Sequence, residues 1–294
     1  MNRFSSLALS DSSSDATSPK KTPSKTSSLK LHREEAIHES TADPSNAVSG
    51  KWMPSLLSHL QHANISRPRT FFLPSRYEAK YRYPLIVWLH NDGFNEHQIT
   101  HVAPHISTRN YIGVGIRGSM AIDACGQRFA WSTTPAAVSR CEDAVWQAID
   151  DASDRYSVHP DRIFIAGYGE GATMARRIAF QRSSQFAGCI ALGGRIPRGG
   201  SVLSNLSSAR NLKNFWAVAI QNAAISQSHF DDDIRLAADA RLRLEVRKYT
   251  TDDEMVTEVL GDVNTWMMKI VTGEDSRHEA KPDWTTVPVH FSAN

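Results

Sequence analysis

Cysteine is scarce in this sequence, where Cys125, Cys141 and Cys189 are the three thiols. The number is odd and the spacings do not repeat, so the sequence indicates neither a disulfide framework nor a cysteine-rich metal site. Cys141 falls on the apolar side of a predicted helix and Cys189 within a predicted strand, which is typical of thiols buried in a core. Cys125 lies in a predicted loop, and its sequence neighbours include no base that would activate it.

An excess of one charge is also lacking, and so are long apolar runs. Lys and Arg number 33 and Asp and Glu number 31, which leaves a formal net charge of +2 and no electrostatic basis for nucleic-acid binding. No apolar run approaches the roughly 20 residues of a transmembrane helix. Residues 4–9 are too short and too rich in serine for the core of a signal peptide. We therefore expect no membrane span and a cytoplasmic location.

The composition changes along the chain and divides it into three parts. Residues 1–50 are rich in Ser, Thr, Pro and Lys and lack apolar periodicity, so we expect a disordered tail. Residues 51–273 are long enough to form one α/β domain. Residues 274–294 are mostly polar, and we expect a loose C-terminal tail.

Apolar runs of strand length alternate with helical patterns throughout the middle part. The run at 84–89 is apolar at every position, as expected of a strand that is covered on both faces. Thr134 and Pro135 are typical of the cap and the first residue of a helix, which we expect to continue to about residue 152. Strands are predicted at 70–73, 84–89, 111–116, 162–166, 187–192, 215–220 and 242–249, and later helices at 234–241 and 256–270. This order predicts a doubly wound, mostly parallel sheet with helices on both faces.

The strand predicted at 162–166 leads through a glycine-rich turn directly into a helix. The turn consists of Gly167, Tyr168, Gly169, Glu170 and Gly171. This layout matches the nucleophile elbow, in which the pattern G-x-S-x-G places a serine at a sharp turn between a strand and a helix. Both outer glycines are present, but the middle position is Gly169 instead of serine.

These motifs together resemble the phospholipase/carboxylesterase branch of the α/β-hydrolases, which includes acyl-protein thioesterases and small esterases. The resemblance covers residues 70–271 approximately and depends on three signatures. They are Leu89-His90-x-x-Gly93 with Asn95-Glu96, the run from Asp161 to Gly167, and Asp262-Val263-Asn264-x-Trp266. It implies the α/β-hydrolase fold and the hydrolysis of esters or thioesters by a triad in the order Ser, Asp, His.

None of the three triad roles is filled at its matching place in this sequence. The position of the serine is Gly169, the position of the acid is Ala224, and the position of the base is Asp253. Because three separate places are altered, a small shift in the alignment does not restore the triad. The resemblance therefore implies a pocket at the carboxyl ends of the strands without the usual machinery for hydrolysis.

The residues around that pocket remain candidates for binding. The loop contains His90, Asn91, Asp92 and Gly93, where a larger Asn and Asp replace the small residues usual near the oxyanion site. An aspartate there repels a developing oxyanion unless its carboxylate faces away. His90 is interpreted as an organiser of this loop. The remaining candidates are Tyr168, Glu170 and Trp131.

Some of these residues have two interpretations. Glu170 is either an acid that stabilises the start of its helix or a base for a reaction mediated by water. Trp131, with Phe129, either lines a ligand pocket or packs in the core. His97, His101 and His105 recur at helical spacing, which favours a half-exposed helix over a metal site.

Residues elsewhere in the sequence offer replacements for the missing triad. His229 with 231–233 offers an acid, but the acidic run is also typical of the polar start of the helix at 234–241. His278 and His290 lie late enough to supply a base, and Ser119, Ser132 and Thr133 lie in loops that border the pocket. Asp252, Asp253 and Glu254 suggest a metal, although Thr251 and Glu254 also form a capping box.

Three hypotheses follow. The first is a catalytically silent hydrolase that binds an acyl- or ester-like small molecule or a protein partner. The alternative is an active carboxylic-ester or thioester hydrolase that uses other residues. The third is an interaction module that displays the N-terminal tail. We expect no nucleotide, flavin or metal cofactor, since Gly167-x-Gly169-x-Gly171 lacks the spacing of a dinucleotide-binding loop.

Overall fold

The structure is a computed structural model of the chain, and it describes residues 67–222 and 225–274. The tail expected at 1–50 lies outside the described residues, as do Ala224 and all but the first residue of the tail expected at 274–294. In the described part, no helix combines the length and the apolar character that are needed to cross a membrane.

The centre of the fold is a sheet of seven strands. The strands are β1 (Arg69–Phe72), β2 (Tyr83–Leu89), β3 (Ile112–Ile116), β6 (Val158–Tyr168), β7 (Gly188–Leu192), β8 (Asn214–Ala219) and β9 (Leu244–Tyr249). Their order in the sheet is β1-β3-β2-β6-β7-β8-β9; β1 pairs with β3 antiparallel, and every other neighbouring pair is parallel. The predicted doubly wound, mostly parallel sheet is confirmed.

Helices cover both faces of this sheet. They are α1 (Gln98–Ile106), α2 (Pro135–Arg155), α3 (Glu170–Gln181), α4 (Gly200–Asn205), α5 (Gln227–Asp239) and α6 (Thr257–Thr272). Along β2, Leu85, Val87 and Leu89 pack into a core shared with α2 and α3. Ile86 and Trp88 pack into a second core, shared with α1 and α6. The predicted strand at 84–89 is apolar at every position because each of its faces has a helical layer to bury it.

The ends of the helices confirm one sequence prediction and correct two. The Thr134 hydroxyl accepts a hydrogen bond from the Ala137 N–H at the start of α2, as predicted. α5 begins at Gln227, capped by Ser226, and is therefore longer than the helix predicted at 234–241. α6 begins at Thr257, so the predicted capping box at Thr251 and Glu254 is wrong.

A small hairpin lies between β3 and α2 that the sequence pattern did not predict. β4 (Met120–Ala121) pairs antiparallel with β5 (Phe129–Ala130). Phe94, in the loop after β2, forms an isolated bridge with Phe129. The hairpin thus joins the loop after β2 to the segment that leads into α2, and both border the carboxyl edge of the sheet.

Candidate functional site

The turn between β6 and α3 has the geometry of a nucleophile elbow. A Cβ on Gly171 would lie 2.2 Å from the Leu89 carbonyl oxygen, and a Cβ on Gly167 would lie 2.5 Å from Gly171 backbone atoms. The outer glycines are therefore required by the close approach of helix and strands. Gly169 has φ 55° and ψ −121°, a conformation that side-chain-bearing residues rarely adopt. The elbow therefore has a strained backbone, with glycine at its middle position.

The side chain of Asn91 fills the space that a residue larger than glycine would occupy at the elbow. A Cβ on Gly169 would lie 2.2 Å from Asn91 Oδ1 and 2.6 Å from its Cγ. Asn91 Oδ1 also accepts hydrogen bonds from the backbone N–H of Glu170, at 3.1 Å, and of Asp92, at 2.9 Å. One donor follows the elbow position and the other lies in the loop after β2, which are the two places that supply an oxyanion hole in hydrolases with this elbow.

His90 is completely buried beneath this loop and both of its ring nitrogens are engaged. Nδ1 lies 2.7 Å from the Asn91 carbonyl oxygen, and Nε2 accepts a hydrogen bond of 2.9 Å from the Gly118 N–H. These partners require the proton on Nδ1, because a carbonyl can only accept and a backbone N–H can only donate. Burial lowers the pKa of His90, which favours the same neutral form. His90 therefore positions the loop and has no lone pair available as a base.

The remaining loop residues are also held by the hairpin segment. Asp92 Oδ1 accepts a hydrogen bond of 3.2 Å from the Trp131 N–H, so this oxygen is directed toward the segment after β5. Trp131 is buried, and its indole N–H donates to the His90 carbonyl at 2.7 Å. Gly93, with φ +86°, donates its N–H to the Phe129 carbonyl at 2.9 Å. Trp131 is thus buried against the loop that contains His90 instead of lining an open pocket.

Two carboxylates lie beside the elbow. Asp253, which the sequence resemblance places at the position of the base, accepts a hydrogen bond of 2.9 Å from the Tyr168 hydroxyl and another of 2.9 Å from the Met255 N–H. Burial and the charge of Asp253 raise the pKa of Tyr168, so the phenol stays protonated. Burial and the charge of Asp92 raise the pKa of Glu170 at the start of α3.

The fold of this chain is also found in solved structures of other proteins. No protein-family model and no curated protein sequence matches the chain. Solved structures do match it, among them a carboxylesterase of Bacillus cereus at 16% identity and TM-score 0.53, over 74% of this chain and 99% of that one. Another is a carboxylesterase of Mesorhizobium loti at 12% identity and TM-score 0.57, over 70% of this chain and 96% of that one. Arabidopsis thaliana SOBER1 matches at 15% identity and TM-score 0.55, over 65% of this chain and 100% of that one. The chain has the α/β-hydrolase fold.

Within this hydrolase fold, a buried acid whose partner the sequence does not indicate lies at the carboxyl end of β8. Glu254 is fully buried, and its carboxylate accepts hydrogen bonds from the Ala219 N–H at 3.0 Å and from Asn222 Nδ2 at 3.3 Å. Burial raises its pKa, and these hydrogen bonds oppose that shift. Glu254 had been interpreted as part of a capping box because Thr251 stands at the right spacing, and no local pattern reveals its partner on β8.

The acidic run 231–233 is not the polar start of a helix, because it lies inside α5. Asp233 is completely buried and receives hydrogen bonds from Arg195, Arg198 and the Ile196 N–H, at 2.9 to 3.2 Å. Burial opposes ionisation of Asp233, but these donors outweigh it and lower its pKa. Asp233 is therefore an anchor for the segment after β7.

Of the other candidates, Ser119 and Ser132 form hydrogen bonds away from the elbow, and two histidines lie outside the described part. Ser119 Oγ accepts the Ser132 N–H at 3.0 Å, and Ser132 Oγ lies 3.3 Å from the Thr134 hydroxyl at the start of α2. His278 and His290 lie outside the described residues. Over 67–222 and 225–274, His, Cys, Asp and Glu form no group of three able to hold a metal ion. Cys141 and Cys189 are buried, and burial raises the pKa of each thiol to about 12, as expected of core thiols.

Proposed function

We propose that this chain is an α/β-hydrolase-fold protein that is not active as a serine hydrolase. It instead binds an acyl- or ester-like small molecule or a partner protein at the carboxyl edge of its sheet. One observation carries the proposal: Asn91 Oδ1 lies where a side chain at the elbow would project, and it accepts both backbone N–H groups. The protein's own amide oxygen therefore takes the place that the oxygen of a substrate would need.

The known contributions of the triad and of the oxyanion donors to the rate of hydrolysis support this proposal. In subtilisin, loss of the serine or the histidine costs about a million-fold in kcat. The activity that remains, roughly a thousand- to ten-thousand-fold over water, depends on substrate binding and on the oxyanion donors. Here those donors already have an acceptor, and the nearby imidazole of His90 is buried with both nitrogens engaged.

A binding role is supported by exposed apolar side chains around the elbow. They lie on segments that follow the carboxyl ends of β2, β3, β7 and β8, and each is between 46% and 55% exposed. We call this set the apolar rim: Phe94, Met120, Ile122, Leu203 and Ile220. Exposed apolar surface at this edge suits an acyl chain or an apolar surface on a partner protein.

The test is hydrolysis of p-nitrophenyl butyrate and of an acyl thioester by the purified full chain. We expect rates equal to those in buffer, and equal rates for Glu170→Gln and Asp253→Asn. The alternative, an active hydrolase that uses other residues, requires turnover that scales with protein concentration. Turnover lost in either variant would overturn the proposal and assign the chemistry to Glu170 or to Asp253.

The binding role needs a separate measurement. Thermal unfolding in the presence of fatty acids and fatty amides tests the acyl class of ligand. A rise in Tm that disappears in Phe94→Asp, but persists in Tyr81→Asp at the opposite edge, would place the ligand at the apolar rim. No rise with any of these compounds would exclude the acyl class and favour a protein partner.

A further inference from the structure

A cavity of about 370 Å³ lies at the amino ends of the strands, away from the elbow. Tyr83 and Pro84 contribute from the start of β2, and Asn110 contributes from the segment just before β3. Met268 and Val271 contribute from the last turns of α6. The volume falls at the lower end of the range for small-molecule sites. It belongs to neither the elbow nor the apolar rim.

The walls of this cavity are aromatic and rigid. The Tyr81 ring meets the Tyr83 ring edge-on with centroids 4.6 Å apart, and Tyr77 stacks on Tyr83 from another side at 5.5 Å. The Tyr83 hydroxyl accepts the Glu78 N–H and donates to the Arg76 carbonyl, so its polar end is satisfied without a ligand. Tyr81 remains 49% exposed. Tyr81 and Tyr83 line the cavity together with Met268 and Val271, and they offer an apolar surface to a ligand.

The charge around the cavity is positive. The side chains of Arg76 and Arg109 line it, and neither forms an ion pair with any residue in 67–222 or 225–274. Glu78 is the carboxylate among the lining residues, so cationic groups outnumber acidic groups by one. A guanidinium presents N–H donors in a planar fork that matches a carboxylate.

We propose that this cavity binds a small amphipathic anion, a carboxylate attached to an aromatic or short aliphatic body. The apolar part contacts Tyr81 and the α6 side chains, and the carboxylate pairs with Arg76 and Arg109. Glu78 limits the affinity because its negative charge faces the same space. The site is independent of the elbow, so the proposal does not depend on whether the protein hydrolyses esters.

The experiment is isothermal titration calorimetry of the full chain with 2-naphthoate and with its neutral analogue 2-naphthamide. We expect the acid to bind at least fivefold more tightly than the amide at 50 mM salt, with the difference decreasing at 300 mM. Arg76→Gln and Arg109→Gln should each weaken the acid severalfold without changing the amide. Tyr81→Ala should weaken both compounds.

Two further variants distinguish specific binding in the cavity from nonspecific attraction of the acid to surface charge. Glu78→Gln should strengthen binding of the acid, a direction that damage to the fold would not produce. Arg82→Gln, on the same exposed segment but outside the cavity lining, should leave both affinities unchanged. Equal affinity for acid and amide, an effect of Arg82→Gln as large as that of Arg109→Gln, or no binding at millimolar concentration would overturn the proposal.

Discussion

At the scale of single residues, Gly169 and Asn91 are complementary in shape. Gly169 keeps a backbone conformation that costs a side-chain-bearing residue about 1–3 kcal/mol. The space above it holds the Asn91 amide, which is fixed by hydrogen bonds from the Glu170 and Asp92 N–H groups. A serine at position 169 would displace that amide, so the Asn91 amide in this position requires glycine at 169.

This complementarity predicts that two substitutions are coupled. Gly169→Ser should lower the free energy of unfolding by about 2–5 kcal/mol, because the backbone strain is added to the loss of space for Asn91. In an Asn91→Ala background the steric part disappears, and the same change should cost about 1–3 kcal/mol. Urea unfolding of both single variants and the double variant measures the coupling. Costs that add to within about 0.5 kcal/mol would show that the Asn91 amide does not occupy the site.

At the scale of elements, α5 anchors the segment after β7 through one buried carboxylate. Arg195 and Arg198 reach Asp233 from that segment, and the Ile196 N–H completes the contact. The two guanidinium groups remain partly exposed, whereas the carboxylate is not. An amide at this position would replace one of the two acceptor oxygens by a donor and would remove the charge that both guanidinium groups contact.

Asp233→Asn should therefore destabilise the protein by about 3 kcal/mol at pH 7. Because the pKa of Asp233 is lowered in the folded state, its stabilising effect is present above the ordinary value of 3.8 and is lost as the pH falls through the folded value. The difference between wild type and variant should narrow below about pH 4. Urea unfolding from pH 7 to pH 3 measures it.

The neighbouring acid provides the control. Asp232 lies on the same helix and forms an exposed ion pair with Arg235 at 3.4 Å. Asp232→Asn should change the free energy of unfolding by less than about 0.5 kcal/mol. If both variants lost the same stability, or if the loss for Asp233→Asn were independent of pH, the anchoring role would be wrong.

At the scale of the whole molecule, the described residues contain the sheet and the helical layer on each face. The carboxyl edge holds the elbow with its Asn91 amide, and the amino edge holds the cavity with its two arginine side chains. Tyr83–Leu89 connects the two, since it begins at the cavity and ends beside the loop of His90. The two proposed sites are therefore separated by the length of the central strands.

The boundary predicted at residue 50 implies a small effect of removing the N-terminal tail. Deletion of residues 1–50 should change the free energy of unfolding by less than about 0.5 kcal/mol, because we expect the buried core to be formed by the middle part of the chain. Chemical denaturation of the shortened and full chains measures this. A loss of several kcal/mol would mean that the N-terminal segment packs on the domain and that the predicted boundary is wrong.

The sequence by itself determined the fold class, since the features that specify it are local. The apolar run at 84–89 indicates a strand covered on both faces, and Thr134 with Pro135 specifies where α2 begins. The outer glycines of the elbow are visible as a spacing, and so is the absence of a serine at Gly169. Each of these signals lies within one element, where periodicity and backbone sterics act directly.

Only the tertiary structure decided which distant residues the side chains at the strand ends contact. Asn91 meets Glu170 79 residues further along the chain, Glu254 meets Ala219 35 residues earlier, and Asp233 meets Arg195 38 residues earlier. Asp233 and Glu254 had plausible local explanations, a polar helix start and a capping box, and both explanations were wrong. A side chain that satisfies a distant backbone group leaves no periodic trace in its own neighbourhood. Only the packing of strand ends and loops shows which partner it has.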